Sequence, residues 1–126
     1  LSGGLGNDRY IFEQSFGKDI LRDVAGVDRA IFNQTNINDL WFEQKDQDLV
    51  ITALSTQSQL TIKNWSLGHH IEAISANGKN LLDTRVAALV QVMSSLNQGN
   101  VPSSYSNLSS NDKSVLDNAL SVAWLA

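Results

Sequence analysis

The stretch Gly3-Gly4-Leu5-Gly6-Asn7-Asp8 constrains this chain more than any other. Three glycines in four positions let the backbone enter φ > 0 and bring its carbonyls close around one point. Asp8 adds a carboxylate, and a hard cation such as Ca2+ takes roughly six to eight oxygens of these two kinds. Tyr10 and Phe12 follow at period two, so both fall on one face of a short strand, expected to be its inward face.

The pattern echoes downstream. Gly17-Lys18-Asp19-Ile20-Leu21 and Gly26-Val27-Asp28-Arg29-Ala30 both repeat the Gly-x-Asp-x-apolar half of it. Aligning Asp8, Asp19 and Asp28 gives spacings of 11 and 9 residues, close to one turn of a repeat each. A lone Gly-Gly-x-Gly is usually a flexible turn, whereas a repeated one favours calcium-binding turns. Residues 1–32 are therefore read as three turn–strand units with Tyr10, Phe12, Leu21 and Phe32 filling the interior.

Further along, Asp39-Leu40-Trp41-Phe42-Glu43 has strand composition, with Leu40 and Phe42 facing inward and Trp41 outward. Asp46-Gln47-Asp48 reads as a turn. Residues 49–54 and 59–65 read as strands joined by the polar loop Ser55-Thr56-Gln57-Ser58. Ile71-Glu72-Ala73-Ile74 alternates, and Asn77-Gly78 is a strong two-residue hairpin signal leading into Leu81-Leu82. The period then changes. From Asp83, read as an N-cap, Val86, Leu89, Val90, Met93 and Leu96 recur at helical spacing, and Gly99 and Pro102 end the run. After a polar linker over 97–108, Ser109-x-x-Asp112 resembles a capping box. Val115, Leu116, Ala119, Leu120, Ala123 and Trp124 then form one apolar stripe. The expected fold is mainly β, a roll or sandwich closed by two C-terminal helices.

Composition excludes several function classes. The net charge is −4, with no basic stripe to neutralise phosphates, so nucleic-acid binding is not expected. The chain has no cysteine, which removes disulfides and thiolate metal sites. No run of about 18 apolar residues is present to span a membrane. At 126 residues this is one domain's worth of chain, and its opening at Leu1 inside a glycine turn suggests the C-terminal piece of a longer protein. His69-His70 are adjacent, so on a strand they face opposite ways, and a surface loop is the expected setting. Neither a Gly-x-Ser-x-Gly elbow nor an HExxH helix occurs, and no catalytic role is expected within these residues. Asp46 and Asp48 lack the glycine that an EF-hand loop requires, leaving them a solvated turn.

The glycine turns, the Asp39-Leu40-Trp41-Phe42 block and the strands Asp48-Leu49-Val50-Ile51 and Thr61-Ile62-Lys63-Asn64-Trp65 resemble the C-terminal module of RTX (haemolysin-type calcium-binding repeat) proteins. The Leu89-Val90-Gln91-Val92-Met93 helix and the tail ending Ala123-Trp124 resemble the same region. The resemblance covers essentially the whole chain, in the family's order.

The resemblance implies a short parallel β-roll over 1–32, a β-strand cap over 33–82, and C-terminal helices with a type I secretion signal over 83–126. It implies Ca2+ as the cofactor. The carbonyls of Gly3, Gly4, Leu5 and Gly6 and the carboxylate of Asp8 would form one side of a site. The turn around Gly26 and Asp28, two places on and stacked on the same side, would complete it, with Asp23 nearby. Asp19 would lie on the opposite side, facing a partner turn upstream of Leu1. The later turns carry one glycine where the first carries three, so the number of ions stays open. The expected role is a calcium-binding folding and secretion module of a secreted or cell-surface bacterial protein, with the type I secretion apparatus as partner. The alternative is an adhesin module that holds a host-surface glycan or protein through the β surface around Trp41.

Overall fold

Short strands form here where aromatic and β-branched residues sit between turns rich in glycine, asparagine and aspartate. The computed structural model describes residues 9–13, 15–22, 28–68 and 71–125. Among them lie nine strands and two helices. The strands are β1 Arg9–Phe12, β2 Lys18–Leu21, β3 Arg29–Phe32, β4 Leu40–Lys45, β5 Asp48–Ala53, β6 Ser58–Ile62, β7 Ala73–Ala76, β8 Lys79–Leu82 and β9 Trp124–Leu125. The helices are α1 Val86–Ser94 and α2 Ser110–Ala123.

The strands form two sheets, one ordered β1-β3-β7-β8-β9 and the other β2-β6-β5-β4. β1 pairs parallel with β3 and β3 with β7, while β2 pairs parallel with β6; the remaining pairs are antiparallel. The first three strands therefore alternate between the sheets. Each sheet also joins strands from the glycine-rich opening to strands from the middle of the chain.

Period-two side chains meet in one continuous core. Phe12, Phe32, Ile74 and Leu81 from one sheet and Leu21, Ile51, Leu60 and Ile62 from the other belong to the same buried cluster. Tyr10 is partly buried against it, and Ile11, on the other face of β1, is 56% exposed. The inward set expected for residues 1–32 is thus found facing the core.

Local turn chemistry accounts for the hairpins. Asn77 and Gly78 both take positive φ, 49° and 77°, the two-residue turn whose twist matches a β7–β8 hairpin. Asp46 at φ 55° serves the β4–β5 turn.

Three expectations are corrected. Trp41 does not face outward: it is 2% exposed, and Leu40 and Phe42 beside it are fully buried. The first three residues of β4 are buried whichever way they point, and α1 packs against this strand, with Phe42 N–H donating to Met93 Sδ at 3.1 Å. The helix thereby shields an otherwise open sheet edge. Second, the helices do not close the chain. Trp124 leaves the apolar stripe of α2 and pairs with Leu81, adding β9 to the sheet. Third, α1 does not start at Asp83; a 3-10 turn over Asp83–Arg85 comes first, and Ser94 ends the helix ahead of Gly99.

The capping expectation is met on one side only. Ser109 Oγ accepts from the Asp112 N–H at 3.1 Å. The Asp112 carboxylate turns away from its own cap and accepts from the Asn97 N–H at 3.0 Å, tying the α1–α2 connection to the start of α2.

Candidate metal site

Of the residues expected to hold calcium, Asp19 and Asp28 lie among those described; Gly3, Gly4, Leu5, Gly6, Asp8, Asp23 and Gly26 lie outside them. His69 and His70 lie outside them as well.

Asp28 immediately precedes β3 and is only 2% exposed. An aspartate this far from water carries a high desolvation cost unless its surroundings compensate the charge. Its N–H donates to Glu72 Oε2 at 2.8 Å, and its carbonyl accepts from Ala73 N–H at 3.4 Å. The parallel register Arg29↔Ala73 is what places Glu72 beside Asp28. Sequence reading missed Glu72. No local signal marks it, because its neighbour is 44 residues away along the chain.

Asp19 sits elsewhere. It is the second residue of β2, in the other sheet, paired with Leu60 and half-buried on the face of Leu21. The turn before it is held by protein groups. Ser58 Oγ accepts from the N–H groups of Phe16 and Gly17 at 3.1 and 3.2 Å, and the Gly17 carbonyl accepts from Gln59 N–H at 2.7 Å. Ser58, expected in a loop, instead opens β6 opposite Ala53 of β5 and is 2% exposed. The structure therefore does not bring Asp19 and Asp28 together.

Among the described residues no group of three or more His, Cys, Asp or Glu side chains is gathered in metal-binding fashion. The expected site draws most of its oxygens from backbone carbonyls of residues outside the described set, so its donor set is represented here by Asp28 alone.

The remaining polar constellations are structural. Asp48 accepts from Lys63 Nζ at 2.8 Å and from Asn64 N–H at 2.9 Å, tying β5 to the end of β6. The bond from Lys63, then that from Asn64, holds its carboxyl below the usual carboxylate range. Tyr105 donates to both Asp117 carboxylate oxygens at 2.8 and 2.9 Å, which pushes its phenol above the usual tyrosine range. All three tryptophans are buried, Trp41, Trp65 and Trp124 at 2%, 7% and 3% exposure, so none offers a stacking face to a sugar. The glycan-binding alternative thus loses the surface residue on which it rested.

Among the described residues no helix is long and apolar enough to cross a membrane. No family model matches the chain.

Proposed function

We propose that this chain is a calcium-binding folding and secretion module, the C-terminal region of a larger secreted or cell-surface bacterial protein of the RTX kind. The observation that carries this reading is the pairing of β1 with β3, parallel and in the register Arg9↔Arg29, with the intervening β2 assigned to the other sheet. A roll that binds ions between every second turn needs this alternation. Extended by one residue, the same register would make Asp8, which lies outside the described residues, a neighbour of Asp28. The glycine-rich turn at residues 3–6 would supply carbonyls, and Asp8, Asp28 and Asp23 carboxylates, to a Ca2+ ion between the stacked turns.

The physical logic is linkage. An ion that binds only the folded chain stabilises it by RT ln(1 + [L]/Kd), about 2.7 kcal/mol at a hundred times Kd. Extracellular calcium modules bind at roughly 0.1–1 mM, so such sites are empty in the cytosol and filled outside the cell. The unfolded chain is the form that a type I secretion apparatus would export, recognising its C-terminal residues. Without the ion, carboxylates stacked two turns apart repel, which sharpens the transition.

The test is far-UV circular dichroism in chelator, followed by titration with Ca2+ and separately with Mg2+. Cooperative gain of β signal with Ca2+ and not Mg2+ is expected. A chain already folded in chelator and unmoved by calcium would sink the proposal.

A further inference from the structure

Among the described residues a concavity of about 470 Å3 lies between α1 and α2. Leu89 and Ala123, both buried, line it together with Val92, Ala88 and Val122, with Thr84 and Asn118 beside them. Val122 is 68% exposed, the most exposed large apolar residue described. The one charged group on the lining is Arg85. Its position is fixed: Nη1 donates to the Val122 carbonyl at 2.6 Å, one of the last carbonyls of α2, which lack partners within the helix. That bond uses one of the five N–H donors of the guanidinium. Among the described residues Arg85 forms no ion pair.

A mostly apolar groove of this size with a few polar groups, here Arg85, Thr84 and Asn118, is the usual form of a small-ligand site. Its chemistry selects the occupant. Thr84 and Asn118 are the uncharged polar side chains among the described lining residues, so the body of the ligand should be largely apolar to lie on Leu89, Ala88, Val92, Val122 and Ala123. An extended peptide would bury N–H and C=O groups against them, at a cost of about 1–3 kcal/mol for each left unsatisfied. An alkyl chain buries none. The end of the ligand should be anionic, to meet a guanidinium that has donors to spare and no carboxylate partner among the described residues.

We propose that the groove between α1 and α2 binds a single aliphatic chain ending in a carboxylate, the alkyl part lying on Leu89 and Ala123 and the carboxylate meeting Arg85. The proposal does not depend on the calcium reading, since no residue expected to hold the ion lines the groove.

The test is two-dimensional amide NMR of the folded chain titrated with octanoate, and in parallel with octylamine, which has the same chain and the opposite charge. Octanoate should shift the amides of Leu89, Val92, Ala119 and Val122 and bind about tenfold or more tighter than octylamine, the contribution of one charge-assisted contact. Arg85→Gln should abolish that preference. Because this variant also weakens the end of α2, Arg85→Lys serves beside it and should keep the preference. Ala88→Trp, at an exposed position of α1, fills the groove and should abolish octanoate binding while leaving the circular dichroism unchanged. Equal binding of the two amphiphiles, shifts confined to other surfaces, or undiminished binding by Ala88→Trp would each overturn the proposal. Sedimentation showing a concentration-dependent dimer that Ala88→Trp dissociates would also overturn it, assigning the groove to a second copy.

Discussion

Phe12 and Phe32 stand at matching positions of β1 and β3, their ring centroids 5.1 Å apart and their planes inclined by 22°. Phe16 closes on both, at 5.2 and 5.7 Å. Parallel register makes this stack, because it places identical side chains of alternate strands directly side by side. Phe32 is fully buried, so Phe32→Ala removes a ring from a packed interior and should cost about 3–5 kcal/mol. Urea denaturation under calcium-saturated conditions measures it. A loss below about 1 kcal/mol would mean that the stack contributes little to the folded state.

The start of α2 depends on Ser109. Ser109→Ala removes the acceptor of the Asp112 N–H and should cost about 1 kcal/mol. Asp112→Ala removes a different bond, the one from Asn97 N–H, so hydrogen exchange at Asn97 should rise in that variant and stay unchanged in Ser109→Ala. Equal exchange at Asn97 in both would argue against the divided capping arrangement.

Asp48 gives the fold an acid-sensitive element. Its carboxyl titrates lower in the folded chain than an ordinary aspartate, through its bonds from Lys63 and Asn64. A lowered folded pKa contributes stability above the unfolded value, about 3.9, and that contribution is lost as pH falls through the folded value. Unfolding midpoints followed from pH 6 to about 2.5 should therefore fall less steeply in Asp48→Asn than in the parent. Parallel curves would remove Asp48 from the acid response. Its exposure and screening by salt keep the expected difference small.

If the calcium reading holds, calcium dependence should be sensitive to Asp8 and Asp28. Asp8→Ala and Asp28→Asn should each raise the Ca2+ concentration at the folding midpoint. Asp39→Asn is the control, since Asp39 accepts from Ser55 and belongs to the β4–β5 region. It should leave the midpoint in place. If all three variants shift it equally, the effect is general stability and the site assignment fails.

Much of the local structure was legible in order along the chain. Asn77-Gly78 called for its turn because both residues tolerate positive φ. Ser109 announced the start of α2, and period two marked Phe12 and Phe32 as inward. Of the candidate site, Glu72 was not legible, because only the β3–β7 pairing brings it to Asp28.

The amino-acid sequence by itself determined most of the described strands, the β7–β8 turn and both helices, since these follow from conformational preferences and periodicities within about ten residues. Tertiary structure alone decided which strands share a sheet, that α1 covers the edge of β4 and buries Trp41, and that Trp124 leaves a helical stripe to become a strand against Leu81. The reason is physical. Alternation tells which side chains share a face, but whether that face meets water depends on a second layer contributed by residues far along the chain, and so does the groove that α1 and α2 enclose.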